Sequence, residues 1–253
     1  SYFPGGNTPN GYISFFDRCI DWQDANRIII IKGGPGVGKS TIMKRIGKEL
    51  LKDGLDIEYL HCSSDSTSLD GLVVPELKVA ILDGTPPHQM DPTFPGIVDE
   101  ILNLGEFWNT EGLVQKKTEI QALQARNKRC YKRAYNYMKM AQIAHEDLKE
   151  IYEKALDISI ISKKTNEILD YLFAGIKRSD RKPNIKHMFA SGITPEGLVN
   201  FLDSLFSGLD KRYILTGHPG TGKSSFLKKV ALEAESRGLN LEVFHCPMNI
   251  EKI

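Results

Sequence analysis

The sequence predicts an α/β protein in which one structural unit occurs twice, with a helical insert between the two copies. A β-branched apolar run, Arg27–Lys32, leads into a glycine-rich segment and then into a helical pattern. The same order returns 184 residues later, and a long stretch without proline separates the two copies. Strands that alternate with helices favour a three-layer α/β/α arrangement around a mostly parallel sheet.

Composition excludes several classes of protein. The 253 residues include 33 basic and 32 acidic side chains, so the net charge of +1 is too small for a molecule that binds nucleic acid over its whole surface. The four cysteines form no CxxC pair, which is typical of reduced thiols and predicts a cytoplasmic protein. No apolar run approaches the roughly 18–20 residues that a membrane span needs, and the N-terminus resembles no signal peptide.

The glycine-rich segment fits the pattern G-x-x-x-x-G-K-[ST] of a phosphate-binding P-loop. The predicted nucleotide-binding residues are Gly33, Gly34, Pro35, Gly36, Val37, Gly38, Lys39, Ser40 and Thr41. Backbone N–H groups would surround the phosphates, Lys39 would contact the β- and γ-phosphates, and Ser40 would bind Mg²⁺. We therefore expect ATP or GTP, with Mg²⁺, as the ligand.

A second P-loop motif makes the repeat explicit. Gly33–Cys62 aligns without a gap on Gly217–Cys246, with 13 of 30 positions identical by direct count. The second set of nucleotide-binding residues is Gly217, His218, Pro219, Gly220, Thr221, Gly222, Lys223, Ser224 and Ser225. Ser224 would bind a second Mg²⁺, and Tyr213–Leu215 is the predicted strand before this loop. Since the second copy stops soon after its motif, we expect the natural chain to continue beyond Ile253.

The repeat also extends upstream of each loop. Phe3–Gly11 parallels Phe189–Gly197, and an apolar helical pattern follows each segment. Thr8 and Thr194 each precede a proline, which predicts that they cap short helices. The predicted domains are thus residues 1–104, a helical insert over 105–180, and residues 181–253.

The first copy continues into a short buried strand, Val79–Asp83, that ends in an acid. A strand-end aspartate of this kind indicates a Walker B residue that holds Mg²⁺, although an ordinary Asp-Gly turn would look the same. Lys39 and Asp83 are therefore the first catalytic candidates. The identity of the general base is undecided, because Gly84 stands where many ATPases have glutamate. The candidates are Asp65, Glu76 and His88, each of which could instead be a capping, surface or loop residue.

The insert is predicted to be a helical hairpin or small bundle, since residues 111–174 contain no proline and show helical spacing. Its stretch 111–140 is basic, with Tyr131, Tyr135 and Tyr137 interleaved. One interpretation is a nucleic-acid-binding arm. The interpretation we favour is a solvated helix whose tyrosines pack, and which could carry a protein partner.

Three stretches of the sequence resemble a family of uncharacterised bacterial tandem P-loop ATPases. They are Phe3–Gly11, His61–Gly71 and Pro75–His88. The resemblance implies two P-loop NTPase domains that bind and hydrolyse ATP, and it supplies no substrate.

Three functions are therefore open. The leading hypothesis is Mg²⁺-dependent ATP hydrolysis coupled to movement of the domains or of the helical insert. The second is a small-molecule or nucleotide kinase, with the insert as a lid. The third is a nucleotide-gated binding module without hydrolysis, which the missing glutamate after Asp83 favours. The sequence does not predict the oligomeric state.

Overall fold

A computed structural model, which describes residues 1–251 and 253, shows an α/β protein built on a five-stranded sheet. The strands are β1 Gly5–Thr8, β2 Gly11–Ser14, β3 Arg27–Lys32, β4 Glu58–Cys62, β5 Asp65–Val74, β6 Val79–Asp83, β7 Asp99–Asn103, β8 Ile185–Met188, β9 Ser191–Thr194, β10 Gly197–Asn200 and β11 Leu241–Phe244. The helices are α1 Lys39–Lys52, α2 Thr110–Gln115, α3 Lys117–Glu153, α4 Ile158–Leu172, α5 Leu202–Phe206 and α6 Lys223–Ser236.

The central sheet is mixed, so the prediction of a mostly parallel sheet is wrong. Its strand order is β4-β5-β6-β3-β7. β3 runs parallel to β6 and to β7, whereas β5 is antiparallel to both β4 and β6. Only residues 63–64 separate β4 from β5, and residues 75–78 separate β5 from β6. Connections this short join only antiparallel neighbours, because a parallel crossover needs a dozen or more residues.

The two faces of the sheet are covered differently, so the predicted α/β/α layering is not formed. Helix α1 covers one face, where Met43 packs with Ile31 and Leu72. The other face lies under residues 15–26, which include a 3₁₀ helix at Phe16–Arg18. Phe16 is 2% exposed, and burial of such a ring contributes about 1.5–3 kcal/mol. An irregular segment thus replaces the third layer.

Hairpins replace the helix starts predicted at Thr8 and Thr194. β1 pairs with β2, and β9 pairs with β10, each in an antiparallel register. The Thr8 hydroxyl donates to the carbonyl of Gly11 at 2.7 Å and accepts from the N–H of Asn10 at 3.2 Å. Gly11 has φ of 103°, a left-handed conformation that favours glycine. The threonine therefore stabilises a tight turn instead of capping a helix.

The two halves of the chain meet through reciprocal contacts. The N–H of Phe3 donates to the carbonyl of Phe189 at 2.9 Å, and the N–H of Phe189 donates back at 3.0 Å. The His61 ring stacks on Phe201 with centroids 4.2 Å apart. The matching pair on the other side is Phe15 and His245, with centroids 5.0 Å apart. His61 and His245 are 184 residues apart, and Phe15 and Phe201 are 186 apart, so residues in equivalent positions of the two halves make matching contacts where the halves meet.

The insert forms two long helices, as its spacing predicts. Helix α3 has 37 residues, which corresponds to a length of about 55 Å, and none of its residues is fully buried. Asp157 caps α4 by accepting from the N–H groups of Ser159 and Ile160. No helix in the described part of the chain is long and apolar enough to span a membrane.

The strand predicted at Tyr213–Leu215 is not formed. The Tyr213 side chain is 55% exposed and Ile214 is 85% exposed. In the first half, β3 hydrogen-bonds to β6 on one side and to β7 on the other. Over the described residues 1–251 and 253, no strand flanks residues 213–215, so their backbone has no neighbouring strand to pair with.

Candidate functional site

The first glycine-rich loop, residues 33–41, connects the end of β3 to the start of α1. Gly33, Gly36 and Gly38 have φ of 146°, 82° and 92°, values that other residues adopt only with strain. Gly38 is the N-cap residue of α1 and has no side chain, so it cannot accept hydrogen bonds from the N–H groups of the first helical turn. Free N–H groups together with the positive end of a helix favour an anion at this position.

Lys39 folds back over this loop. Its Nζ donates to the carbonyls of Gly33 at 2.6 Å and Gly34 at 3.1 Å. The same Nζ lies 3.4 Å from Oδ2 of Asp83, and the two side chains are only 10% and 8% exposed. The ammonium group is thus held at the mouth of the loop by two carbonyls and one buried carboxylate.

Asp83 lies beside the loop because β6 is parallel to β3, with Ile31 paired to Asp83. Its Oδ1 accepts from the N–H of Thr85 at 3.0 Å and from the Thr85 hydroxyl. Ser40, on the first turn of α1, accepts from the N–H of Leu69 at 3.0 Å. The strand–loop–helix arrangement expected from the sequence therefore brings Lys39, Ser40 and Asp83 to one pocket.

Asp70 is a site residue that the sequence did not reveal. It lies on β5 directly before Gly71, which pairs with Leu82, so Asp70 stands opposite Asp83 on the neighbouring strand. Both aspartates are 6% exposed. The only signal for Asp70 was its place in the conspicuous stretch His61–Gly71, and its position depends on the antiparallel pairing of β5.

His88 connects these two aspartates. Its Nδ1 lies 2.8 Å from the backbone carbonyl of Asp83, and its Nε2 lies 3.4 Å from Oδ2 of Asp70. The ring stacks on Phe16 with centroids 4.4 Å apart. Burial alone would lower the pKa of His88, but the hydrogen bond to Asp70 and the charges of both aspartates raise it. His88 therefore lies in the pocket beside both aspartates, and its role as a base stays a prediction.

The other two candidate bases lie further out. Asp65 is at the rim of the pocket, where its Oδ1 accepts from the N–H of Thr67 at 3.0 Å and from the Thr67 hydroxyl at 2.7 Å. Glu76 lies in the turn before β6, at the end of the sheet opposite the glycine-rich loop. Glu76 is therefore not brought to the pocket.

Helix α3 forms one wall of this pocket, which has a volume of about 1160 Å³. The Tyr131 hydroxyl donates to the hydroxyl of Ser64 at 2.6 Å, and the Tyr135 hydroxyl donates to Oδ1 of Asn7 at 3.1 Å. Tyr137, by contrast, is 62% exposed. Two of the three interleaved tyrosines therefore contact the body of the protein, in agreement with the packing that the solvated-helix interpretation predicts, and a nucleic-acid-binding arm stays a prediction.

The second glycine-rich loop, residues 217–225, has the same local geometry. Gly217, Gly220 and Gly222 have φ of 151°, 81° and 87°. The Nζ of Lys223 donates to the carbonyls of Gly217 at 2.6 Å and His218 at 2.7 Å. Helix α6 begins at Lys223, so Ser224 and Ser225 occupy its first turn.

Helix α3 packs against this second loop. The ring of Tyr152 stacks on His218 with centroids 4.8 Å apart and planes 5° apart. A Cβ built on Gly220 would lie 2.4 Å from the carbonyl oxygen of Lys149, so the helix backbone packs directly on the loop. The two loops thus have different surroundings: the first lines a large pocket, and the second is in contact with the C-terminal end of α3.

Comparison of the chain with family models, curated proteins and solved structures finds no match. The function must therefore be argued from the geometry of the pocket.

Proposed function

We propose that the protein is a P-loop NTPase that binds a nucleoside triphosphate and Mg²⁺ at the first glycine-rich loop and hydrolyses it. The observation that carries this proposal is the position of Lys39, whose Nζ lies 3.4 Å from the buried carboxylate of Asp83 beside a loop of left-handed glycines. A lysine, an aspartate and free helix N–H groups at one point are the parts that phosphoryl transfer needs.

The charges at this point support a triphosphate. Phosphates bound by the loop would take the place of Asp83 as the partner of the Lys39 ammonium. The Asp83 carboxylate would then be available to a cation, together with the hydroxyl of Ser40. Hard oxygen ligands of this kind fit Mg²⁺. When bound with the nucleotide, Mg²⁺ neutralises charge on the β- and γ-phosphates.

Hydrolysis requires a group that orients water. The carboxylates among the residues that line the pocket are Asp65, Asp70 and Asp83. With Asp83 assigned to Mg²⁺, Asp65 at the rim and Asp70 in the interior are the candidates for this role. A carboxylate on β5 would thus have the role of the glutamate that is missing after Asp83.

The proposal includes the second loop, which is the equivalent part of a duplicated unit. It shares the loop geometry and the lysine contacts of the first loop, and the reciprocal contacts between the two halves fit a duplication. Because Tyr152 and Lys149 pack on it, we assign turnover to the first loop. Nucleotide bound at either loop would move α3, because this helix lines the pocket of the first loop and packs on the second loop. The exposed surface of α3 would bind a protein partner in the cytoplasm.

A kinase is the second candidate, and the size of the pocket favours it. Ligand pockets commonly measure about 300–1000 Å³, whereas this one measures about 1160 Å³ and extends to Gln124 and Asn127 on α3. A phosphate acceptor would fit between the loop and this helix.

A coupled assay separates these functions. We expect the wild-type chain to release inorganic phosphate from Mg-ATP or Mg-GTP without an acceptor, and Lys39→Ala to lose this activity. Formation of ADP only in the presence of an acceptor would favour the kinase. Binding of nucleotide without any turnover would leave a nucleotide-gated binding module.

A further inference from the structure

A cluster of three buried potential metal ligands lies at the inner end of the pocket. Asp70, Asp83 and His88 each offer one ligand atom, and these atoms all lie within 4.8 Å of one another. Each of the three residues is 6% exposed. Burying two carboxylates side by side is costly unless a cation lies close to both.

The imidazole of His88 is oriented as metal-binding imidazoles usually are. Its Nδ1 lies 2.8 Å from the carbonyl oxygen of Asp83, and the ring is stacked on Phe16. These contacts fix the ring and direct Nε2 toward Asp70, 3.4 Å away. Metal-ligating histidines almost always use their second nitrogen to donate to a carbonyl or carboxylate in this way.

An ordinary Mg²⁺-nucleotide site does not need this imidazole. Mg²⁺ prefers oxygen ligands and keeps several waters, whereas imidazole nitrogen suits Zn²⁺, Fe²⁺ and similar ions. The combination of one nitrogen with two carboxylates is therefore unexplained by nucleotide binding through Lys39 and Ser40.

The balance of charge also leaves room for a metal ion. Lys39 is the permanent cation beside Asp83, at 3.4 Å. Among the ion pairs of residues 1–251 and 253, Asp70 pairs with His88 and with no lysine or arginine. A divalent cation that binds both carboxylates would supply the positive charge that Asp70 lacks, and any proton on Nε2 would leave to solvent as the metal–nitrogen bond forms.

We propose that Asp70, Asp83 and His88 bind one divalent transition-metal ion directly, with Mn²⁺ or Zn²⁺ preferred over Mg²⁺, and that they do so without nucleotide. This site adjoins the proposed nucleotide site in the same pocket and shares Asp83 with it. With Asp70 as a metal ligand, Asp65 is the carboxylate that remains to orient water.

The test is a titration of the metal-free full chain with Mn²⁺, followed by electron paramagnetic resonance in the absence of nucleotide. We expect one bound Mn²⁺ per chain that survives an excess of Mg²⁺. Electron spin-echo modulation of the bound ion should show coupling to a ¹⁴N nucleus, and this measurement needs no variant.

Two variants and a control sharpen the result. Asp70→Asn and His88→Gln should each weaken Mn²⁺ binding by about 10-fold or more. Asp24→Asn is the matched control, because it removes an exposed carboxylate that pairs with Lys78 at the other end of the sheet. It should titrate as the wild type does, and circular dichroism establishes that each variant is folded.

Three results would overturn the proposal: no Mn²⁺ bound without nucleotide, bound Mn²⁺ without ¹⁴N coupling, or folded variants that bind as tightly as the wild type. The nucleotide assay fails separately. A chain that binds Mn²⁺ as described but never binds nucleotide would refute the proposed function and still support this metal site.

Discussion

Removal of the Lys39 ammonium should destabilise the protein even without nucleotide. In the folded chain this group lies 3.4 Å from Oδ2 of Asp83, and both side chains are about nine-tenths buried. Lys39→Ala would leave the Asp83 carboxylate in the interior without its cation. The loss of one partner from a buried ion pair is far more costly than the loss of both.

The magnitude follows from what Asp83 retains. Truncating one member of a buried pair costs about 3–5 kcal/mol. Asp83 keeps two hydrogen bonds from Thr85, from its N–H and its hydroxyl, so we expect a loss near the lower end, about 3 kcal/mol. With a urea m-value of about 2–3 kcal/mol/M, the midpoint of unfolding should fall by about 1 M.

The assay is urea unfolding followed by circular dichroism, for Lys39→Ala, Asp83→Asn and the double variant. Since asparagine carries no charge, the double variant should recover about 2 kcal/mol relative to the sum of the single effects. A double variant whose loss equals the sum of the two single losses would show that the pair has no energetic coupling, and would refute this reasoning.

Two further predictions concern the scaffold. The Nδ1 of His187 lies 2.9 Å from the Nε2 of His245, and burial lowers the pKa of both histidines. Their contribution to stability is therefore fully present above pH 6.5, and it is lost as the pH falls toward their lowered pKa values. Thermal melting of His187→Gln should show a shallower loss of stability in acid, and an unchanged acid limb would contradict this. At Gly71, an added Cβ would lie 2.6 Å from Leu60 and 2.9 Å from Leu82. Gly71→Ala should therefore lower the free energy of unfolding by about 1–3 kcal/mol, and a variant as stable as the wild type would contradict the packing described.

Local chemistry made much of the site predictable. The residues from Gly33 to Thr41 are contiguous, so their loop geometry and the helix that starts at Lys39 could be expected from the motif alone. Asp83 was found because it ends a short apolar strand, and that strand pairs with β3.

Features that depend on pairing between distant residues could not be predicted. Asp70 reaches the pocket only because β5 is antiparallel to β6, and sequence periodicity does not give the direction of a strand. The role of Tyr131 depends on where α3 lies relative to Ser64. Thr8 was misassigned for a local reason, since a following proline suits both the start of a helix and a tight turn.

The most direct test of the nucleotide-binding proposal is thermal melting with and without Mg-ATP. Ligand at about 100 times its dissociation constant should stabilise the wild type by about 2.7 kcal/mol. The difference between the melts with and without ligand should disappear in Lys39→Ala. It should persist in Lys223→Ala, because α3 packs on the second loop through Tyr152. If Lys39→Ala keeps the full response, the proposal that nucleotide binds at the first loop is contradicted.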